Sequence, residues 1–378
     1  MIRWALYVFP ILVNYVLGGA FFIVPLRCSQ AAAPGWVVGA TLSAWSFVYA
    51  VSSYLIGRKT TADNAVRLIV FAGLLISAAS AGFLLFPDVY MQFLWIALYG
   101  VGAATYCTAF QIFAKSVEPD QNTGVVRATA LYTAAWSVGM ATGPFVFGLL
   151  PVAGSFVINL VIGLCIAAGI HLLSKYGKRA ETRAETPQQN SPLPSGNKPD
   201  KVLVGWIVGG TGTVAIFVLR SLVPYRENLL SFTQAEAGIV IAAVSYVQAL
   251  TALALIRGKT FMYRALPAVA AGLCGIAALV IFGTGNTFIQ FLTAAILFGI
   301  YSGYFYFMFV YHSLISPENS NRYVAVNEVI VGATGTAGPF AAGLLTSPAT
   351  SGAAFPVAAA LSAAGILFAV ISFGKDGK

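Results

Sequence analysis

The chain is short of the residues that carry most polar chemistry. Only 9% of its 378 residues are charged, and it has two histidines and four cysteines. An average soluble domain is about 25% charged. With 58% hydrophobic residues beside so little charge, a water-soluble fold of this size lacks the material for a surface. Lipid is therefore the expected solvent for much of the chain. Cys107, Cys165 and Cys274 fall inside apolar runs and Cys28 at an expected loop, which argues against a disulfide framework or a zinc site. Two histidines do not supply a convincing catalytic triad. No Gly-x-x-x-x-Gly-Lys-Ser/Thr loop is present, and Gly209-Gly-Thr-Gly212 lies within an apolar run where a phosphate loop has no place. No metal, no cofactor and no enzymatic activity are expected.

What is present is apolar sequence in helix-length pieces. A helix needs about 20 mostly apolar residues to cross a bilayer. Twelve such runs lie near 4–26, 36–56, 66–86, 90–114, 127–149, 152–173, 203–223, 237–256, 265–284, 287–311, 323–345 and 353–373. The first has no convincing cleavage site and is read as a span rather than a leader. Residues 174–202 between the sixth and seventh runs are polar and hold Pro187, Pro192, Pro194 and Pro199. That composition buries too little to fold alone and predicts a flexible linker. With the amino terminus placed in the cytoplasm, all of the 21 Lys and Arg residues except Arg27, Arg220 and Arg226 fall on the cytoplasmic side. This bias puts both termini and the linker inside. It also accounts for the net charge of +9 without a nucleic-acid partner.

The chain repeats itself. Gly143-Pro144-Phe145 and Gly148-Leu149-Leu150 recur as Gly338-Pro339-Phe340 and Gly343-Leu344-Leu345, and Arg127 at the head of the first segment recurs as Arg322. Val24-Pro25-Leu26-Arg27 matches Val223-Pro224-Tyr225-Arg226, Leu55 to Thr60 matches Leu255 to Thr260, and Leu98-Tyr99-Gly100 matches Leu297-Phe298-Gly299. Four landmarks in one order, each displaced by about half the chain, predict a protein of two related halves. The expected domains are a bundle at 1–173, a cytoplasmic linker at 174–202 and a second bundle with a short tail at 203–378.

This pattern resembles the major facilitator superfamily over the whole length. The family's Gly-x-x-x-Asp-Arg-x-Gly-Arg-Arg/Lys motif survives here as Gly57-Arg58-Lys59, with Tyr54 where the family has Asp and Ala50 where it has its first Gly. Thr233-Gln-Ala-Glu236 looks like the family's start of the eighth helix. Gly139-x-x-x-Gly143-Pro144 resembles a fifth-helix motif often seen in its efflux antiporters. The resemblance implies an all-α membrane protein, with twelve transmembrane helices in two pseudo-symmetric six-helix bundles. It also implies a central cavity lined by helices 1, 4, 7 and 10.

Several residues stand out against the apolar background. Glu328 is the acidic residue placed within a run, about 9 Å along a helix from Arg322. Intramembrane carboxylates mark ion or proton paths, so Glu328 is the candidate for proton coupling. Its equivalent in the first half is Thr133. The competing reading pairs Glu328 with Arg322 or a headgroup at the boundary. Arg220 is placed late in the seventh run. It could take an anionic solute, snorkel to the outer headgroups, or pair with Glu227 or Glu236. Asn14, Tyr15, Gln111, Tyr246, Gln248, Tyr301, Tyr304 and Asn327 belong to a polar and aromatic set, with Trp45, Tyr49, Tyr132 and Trp136, that suits a neutral, partly apolar solute. The same types collect at membrane interfaces. Gly57, Arg58, Lys59, Arg127, Gly139, Gly143, Pro144, Arg322, Gly338 and Pro339 are expected to act in packing or gating, since glycines four apart let backbones approach and proline bends a helix. His312 is expected at the surface of the tenth helix mouth.

The expected activity is secondary active transport of a small organic solute by alternating access, with proton-coupled efflux as the leading version. An uncoupled facilitator and a non-transporting membrane sensor or assembly partner are the alternatives. Partners are the solute, the bilayer and protons, the chain acts as a monomer, and the expected location is a bacterial inner membrane.

Overall fold

The computed structural model describes residues 2–117, 125–181, 201–257, 259–315 and 320–374. The side chain of Gln111 and residues 182–200 of the expected linker lie outside the described residues, while residues 174–181 of that linker are helical. All regular structure among the described residues is helical: α1 (Ile2–Gln30), α2 (Gly35–Gly57), α3 (Ala62–Leu85), α4 (Val89–Val117), α5 (Val125–Leu149), α6 (Val152–Glu181), α7 (Val202–Leu229), α8 (Gln234–Ala254), α9 (Ala265–Thr284), α10 (Phe288–Leu314), α11 (Ser320–Leu344) and α12 (Ala354–Gly374). Two short 3-10 turns, Leu255–Arg257 and Lys259–Tyr263, join α8 to α9. Twelve long helices are what a chain must form when lipid offers its backbone no hydrogen-bond partner. Polar residues mark where several of them begin. Thr61 and Asn64, Thr233 and Glu236, and Thr287 and Gln290 form reciprocal capping boxes at the starts of α3, α8 and α10.

Among the described residues, ten helices are long and apolar enough to cross a membrane; α5 and α11 do not reach that hydropathy. These two occupy equivalent places in the repeat, and each packs against a helix of its own half and one of the other. Both carry several glycines, which lets those neighbours approach closely.

The packing has the symmetry of the repeat. In the first half α1 packs on α5, α2 on α4, and α3 on α4 and α6; in the second, α7 packs on α11, α8 on α10, and α9 on α10 and α12. Across the halves the principal contacts are α2 with α11 and α5 with α8. Exchanging the halves turns the first of these seams into the second.

Several helices run past the ends expected from sequence. α1 and α7 continue through Pro25 and Pro224 to Gln30 and Leu229. Cys28 is thus a buried helical residue in contact with Val38 and Tyr225, not a loop cysteine. The added turn explains the Val-Pro-x-Arg landmark. Arg27 Nη1 donates to the carbonyl of Phe83 at the end of α3, with its guanidinium 5.1 Å from the Phe156 ring centre. Its equivalent Arg226 donates to the carbonyl of Gly285 after α9 (2.9 Å) and to Ser351 Oγ (2.8 Å). Each arginine fastens the first helix of its half to the third.

Candidate solute pathway

Glu181 and Lys201, on either side of the undescribed part of the expected linker, define one end of the bundle; the opposite end carries the α1–α2 and α7–α8 connections. That far end is sealed by backbone. A Cβ on Gly39 of α2 would meet the carbonyl oxygen of Pro339 on α11, and one on Gly238 of α8 would meet that of Pro144 on α5. Gly343 and Gly148 lie one turn on, against Gly35 and Gly238. The contact needs glycine because the two backbones touch. Polar links complete the seal. Asn228 Nδ2 donates to Ser29 Oγ (2.9 Å), Ser29 Oγ donates to the carbonyl of Tyr225 (3.4 Å), and Gln234 Nε2 donates to the carbonyl of Phe147.

Gly139 and Gly143, by contrast, pack within the first half. Their α carbons face the backbone of α1 at Ile11 and Tyr15. Pro144 has no N–H for the carbonyl of Met140, and that freed oxygen rests against Gly18 of α1. Gly338 lies against Val214 of α7.

Toward the linker end α2 and α11 part, and a cavity of about 1000 Å³ opens between them with contributions from α4 and α10. Tyr49, Tyr54, Cys107, Arg322 and Glu328 are among its lining residues. At its head the Tyr49 hydroxyl on α2 donates to Glu328 Oε2 on α11 across 2.9 Å. This hydrogen bond joins the two halves. Arg322 is exposed and forms no ion pair with Glu328. Arg58 and Lys59 are also exposed, and the Arg58 guanidinium lies 4.2 Å from the centre of the Tyr54 ring. Tyr54 holds the place of the family's Asp, so a cation–π contact stands where the charge pair is missing. Gly57 and Arg127 are exposed near the same end.

Most of the remaining candidates are spread through the interior, and none of those with described side chains lines this cavity. Asn14 Nδ2 turns back to the carbonyl of Pro10, and Tyr15 is buried. Asn327 is a structural tie of the second half, accepting from Trp206 Nε1 of α7 and Ser313 Oγ of α10, each at 2.9 Å. Gln248 of α8 donates to Ser137 Oγ of α5 (2.6 Å), while Tyr246 shares a 3.0 Å bond with Thr142 on the half-open side of the same seam. Tyr301 packs on Gly275 of α9, away from the other half, and Tyr304 is buried with its hydroxyl unpartnered.

Four further expectations change. The cavity is bordered by α2, α4, α10 and α11 and not, as the resemblance implied, by helices 1, 4, 7 and 10. His312 is buried, beside Tyr263 and within 3.4 Å of the Lys201 amide, rather than at the surface. Arg220 is only 5% exposed; it neither reaches the headgroups nor pairs with Glu227 or Glu236, and its Nη2 has no partner. Glu227 is a further acidic residue carried inward by a helix, fully buried with neither oxygen partnered. Pro224 had marked the end of the seventh run, and the helix beyond it carries Glu227 into the interior.

The chain matches the Major Facilitator Superfamily model over residues 6–315, and it belongs to that family. It is an integral membrane protein with a transporter fold, not an enzyme. Among curated proteins no sequence match is found. Solved structures share the fold. A bacterial homologue of the human lysosomal transporter Spinster, inward-facing and unoccupied, matches with a TM-score of 0.66 at 15% identity, over 98% of this chain and 94% of that one. The human organic anion transporter MFSD10 (TETRAN) gives 0.65 at 13% identity, over 96% and 98%. The nucleoside transporter NupG gives 0.65 at 13% identity, over 98% of both.

Proposed function

We propose that this protein is a monomeric secondary transporter that moves a small organic solute by alternating access, coupled to protons through Glu328, in the direction of efflux. The working units are 1–173 and 203–378, joined by a cytoplasmic linker at 174–202 in a bacterial inner membrane. The sidedness of Lys and Arg supports this orientation, and it makes the cavity open to the cytoplasm. The fifth-helix glycine motif supports the direction.

The observation that carries the reading is the bond between Tyr49 and Glu328, at the head of the cavity and across the seam. An ionised carboxylate accepts a stronger hydrogen bond than a neutral acid. A proton arriving from the cavity therefore weakens the hold of α2 on α11. That ties proton occupancy to the equilibrium between the two bundle arrangements, as coupling requires. Purified protein in proteoliposomes tests it. An imposed pH gradient should drive solute flux in the native protein. Glu328→Gln should leave counterflow intact and abolish the gradient's effect. Gradient-driven flux that persists in this variant would identify an uncoupled or differently coupled carrier.

A further inference from the structure

The first half of the repeat has Phe21 where the second has Arg220. Phe21 packs edge-on against Trp45 at 4.6 Å between ring centres, with no polar atom to satisfy. Arg220 brings a guanidinium to the equivalent place, and the described residues supply no counterion for it. Glu227 lies seven residues further on the same face of α7, about 10 Å along the axis. Both of its oxygens are themselves unpartnered, so the two charges do not meet. Among the described residues no carboxylate pairs with Arg220, and the phenol of Tyr306 on α10 is within its electrostatic reach.

Buried charge without a partner is rare because it is costly. Here it does not stand alone. Trp45 Nε1 on α2, Thr133 Oγ1 on α5 and Gln248 Oε1 on α8 are also buried without partners. Ring contacts link this set to Arg220. Phe217, one turn before Arg220, lies 6.4 Å from Trp45, and Tyr306 meets Trp136 edge-on at 4.9 Å. Four helices, two from each half, thus bring unsatisfied polar atoms and aromatic faces to the middle of the bundle. Transporters of this architecture bind near that level. Pro224 adds a mechanical feature: it cannot donate to the carbonyl of Arg220, so the α7 ladder is interrupted at this residue.

We infer that Arg220 is the anchor for the acid group of the transported solute, and that the solute is a monovalent organic carboxylate with an aromatic or aliphatic body. The guanidinium fork matches a carboxylate in two parallel bonds. One unpaired cation takes one negative charge. The body of the solute meets Trp45, Trp136 and Tyr306, and the orphaned indole N–H of Trp45 is available to a further acceptor. This inference rests on the transport reading for its meaning, but it is tested by equilibrium binding, without a gradient.

Full-length protein in nanodiscs is titrated with monocarboxylates of increasing size, from benzoate to naphthoate, each beside its neutral carboxamide. Tryptophan fluorescence and thermal unfolding are the readouts. In the native protein at least one acid should bind about tenfold or more tightly than its amide. Arg220→Met should abolish that preference, and Arg220→Lys should retain part of it. Arg220→Met should also unfold no earlier than the native protein without ligand, because it removes an unsatisfied buried charge. Trp136→Phe should lose most of the fluorescence response. If no acid outbinds its amide, or if the preference survives in Arg220→Met, the assignment is wrong. A native acid preference with unchanged gradient-driven flux in Glu328→Gln would retain the anion site and reject the proposed coupling; the reverse result would do the opposite.

Discussion

The seam between α2 and α11 and the seam between α5 and α8 are the same structure used twice. Gly39 meets Pro339 in one as Gly238 meets Pro144 in the other. Toward the linker end the likeness stops. The first seam carries a phenol on a carboxylate, Tyr49 on Glu328, and borders the cavity. At the matching level the second has an amide on a hydroxyl, Gln248 on Ser137, next to the uncharged Thr133. The two seams share a contact made by shape, and only the first adds a carboxyl group. Under the proposed coupling, the first seam answers to pH and the second does not.

The largest effect should come from spoiling the shared part. Gly39→Leu and Gly238→Leu each drive a side chain into a carbonyl. Overpacking costs about 1–3 kcal/mol, or roughly five- to hundredfold in the population of the far-end-closed state. Cys28 reports on it directly, since it is buried at that seal between the halves. Its alkylation by a membrane-impermeant maleimide should accelerate by a similar factor in both variants. A large effect in one and none in the other would break the equivalence. Next comes the part that differs. Tyr49→Phe removes a bond to a charged group worth about 1.5–3 kcal/mol, and Gln248→Leu one between neutral groups worth about 0.5–1.5 kcal/mol. Tyr49→Phe should flatten the dependence of flux on pH, whereas Gln248→Leu should lower flux by a similar factor at acidic and alkaline pH. The smallest effect belongs to Tyr54→Ala, which loses the contact with Arg58, worth about 0.5–1 kcal/mol at an exposed site. Thermal unfolding should shift slightly, and Tyr54→Asp should reverse the shift by restoring a charge pair.

The helices and their duplication were legible because lipid imposes them. A spanning segment must be helical and mostly apolar, and a backbone contact must be glycine, so both leave marks in the residue string. Thr233 and Glu236 were picked out by the family resemblance as the start of the eighth helix, and the structure makes them its capping box. Helix ends were less legible. Pro224 breaks a helix in water, but within a membrane bundle α7 continues past it, and Glu227 was missed with it. Pairings across the halves left no local trace. Tyr49 and Glu328 are 279 residues apart, and no sequence pattern read above brings their helices together. Arg220 was noticed as a charge in an apolar run, yet periodicity does not reveal which neighbours fail to pair with it. The polar and aromatic set was legible as a list and not as a place, because a helix face is known from spacing only once the bundle around it is known.

Glycine against carbonyl has a further consequence for the far mouth. Among the described residues no ion pair holds it shut, so ionic strength has little there to screen. The opposite mouth carries exposed cations, Arg58, Lys59 and Arg322 among them, whose charge salt screens and anionic lipid attracts. One mouth thus rests on steric fit while the other borders a charged rim, so a change of ionic strength should act on the second and leave the first nearly untouched.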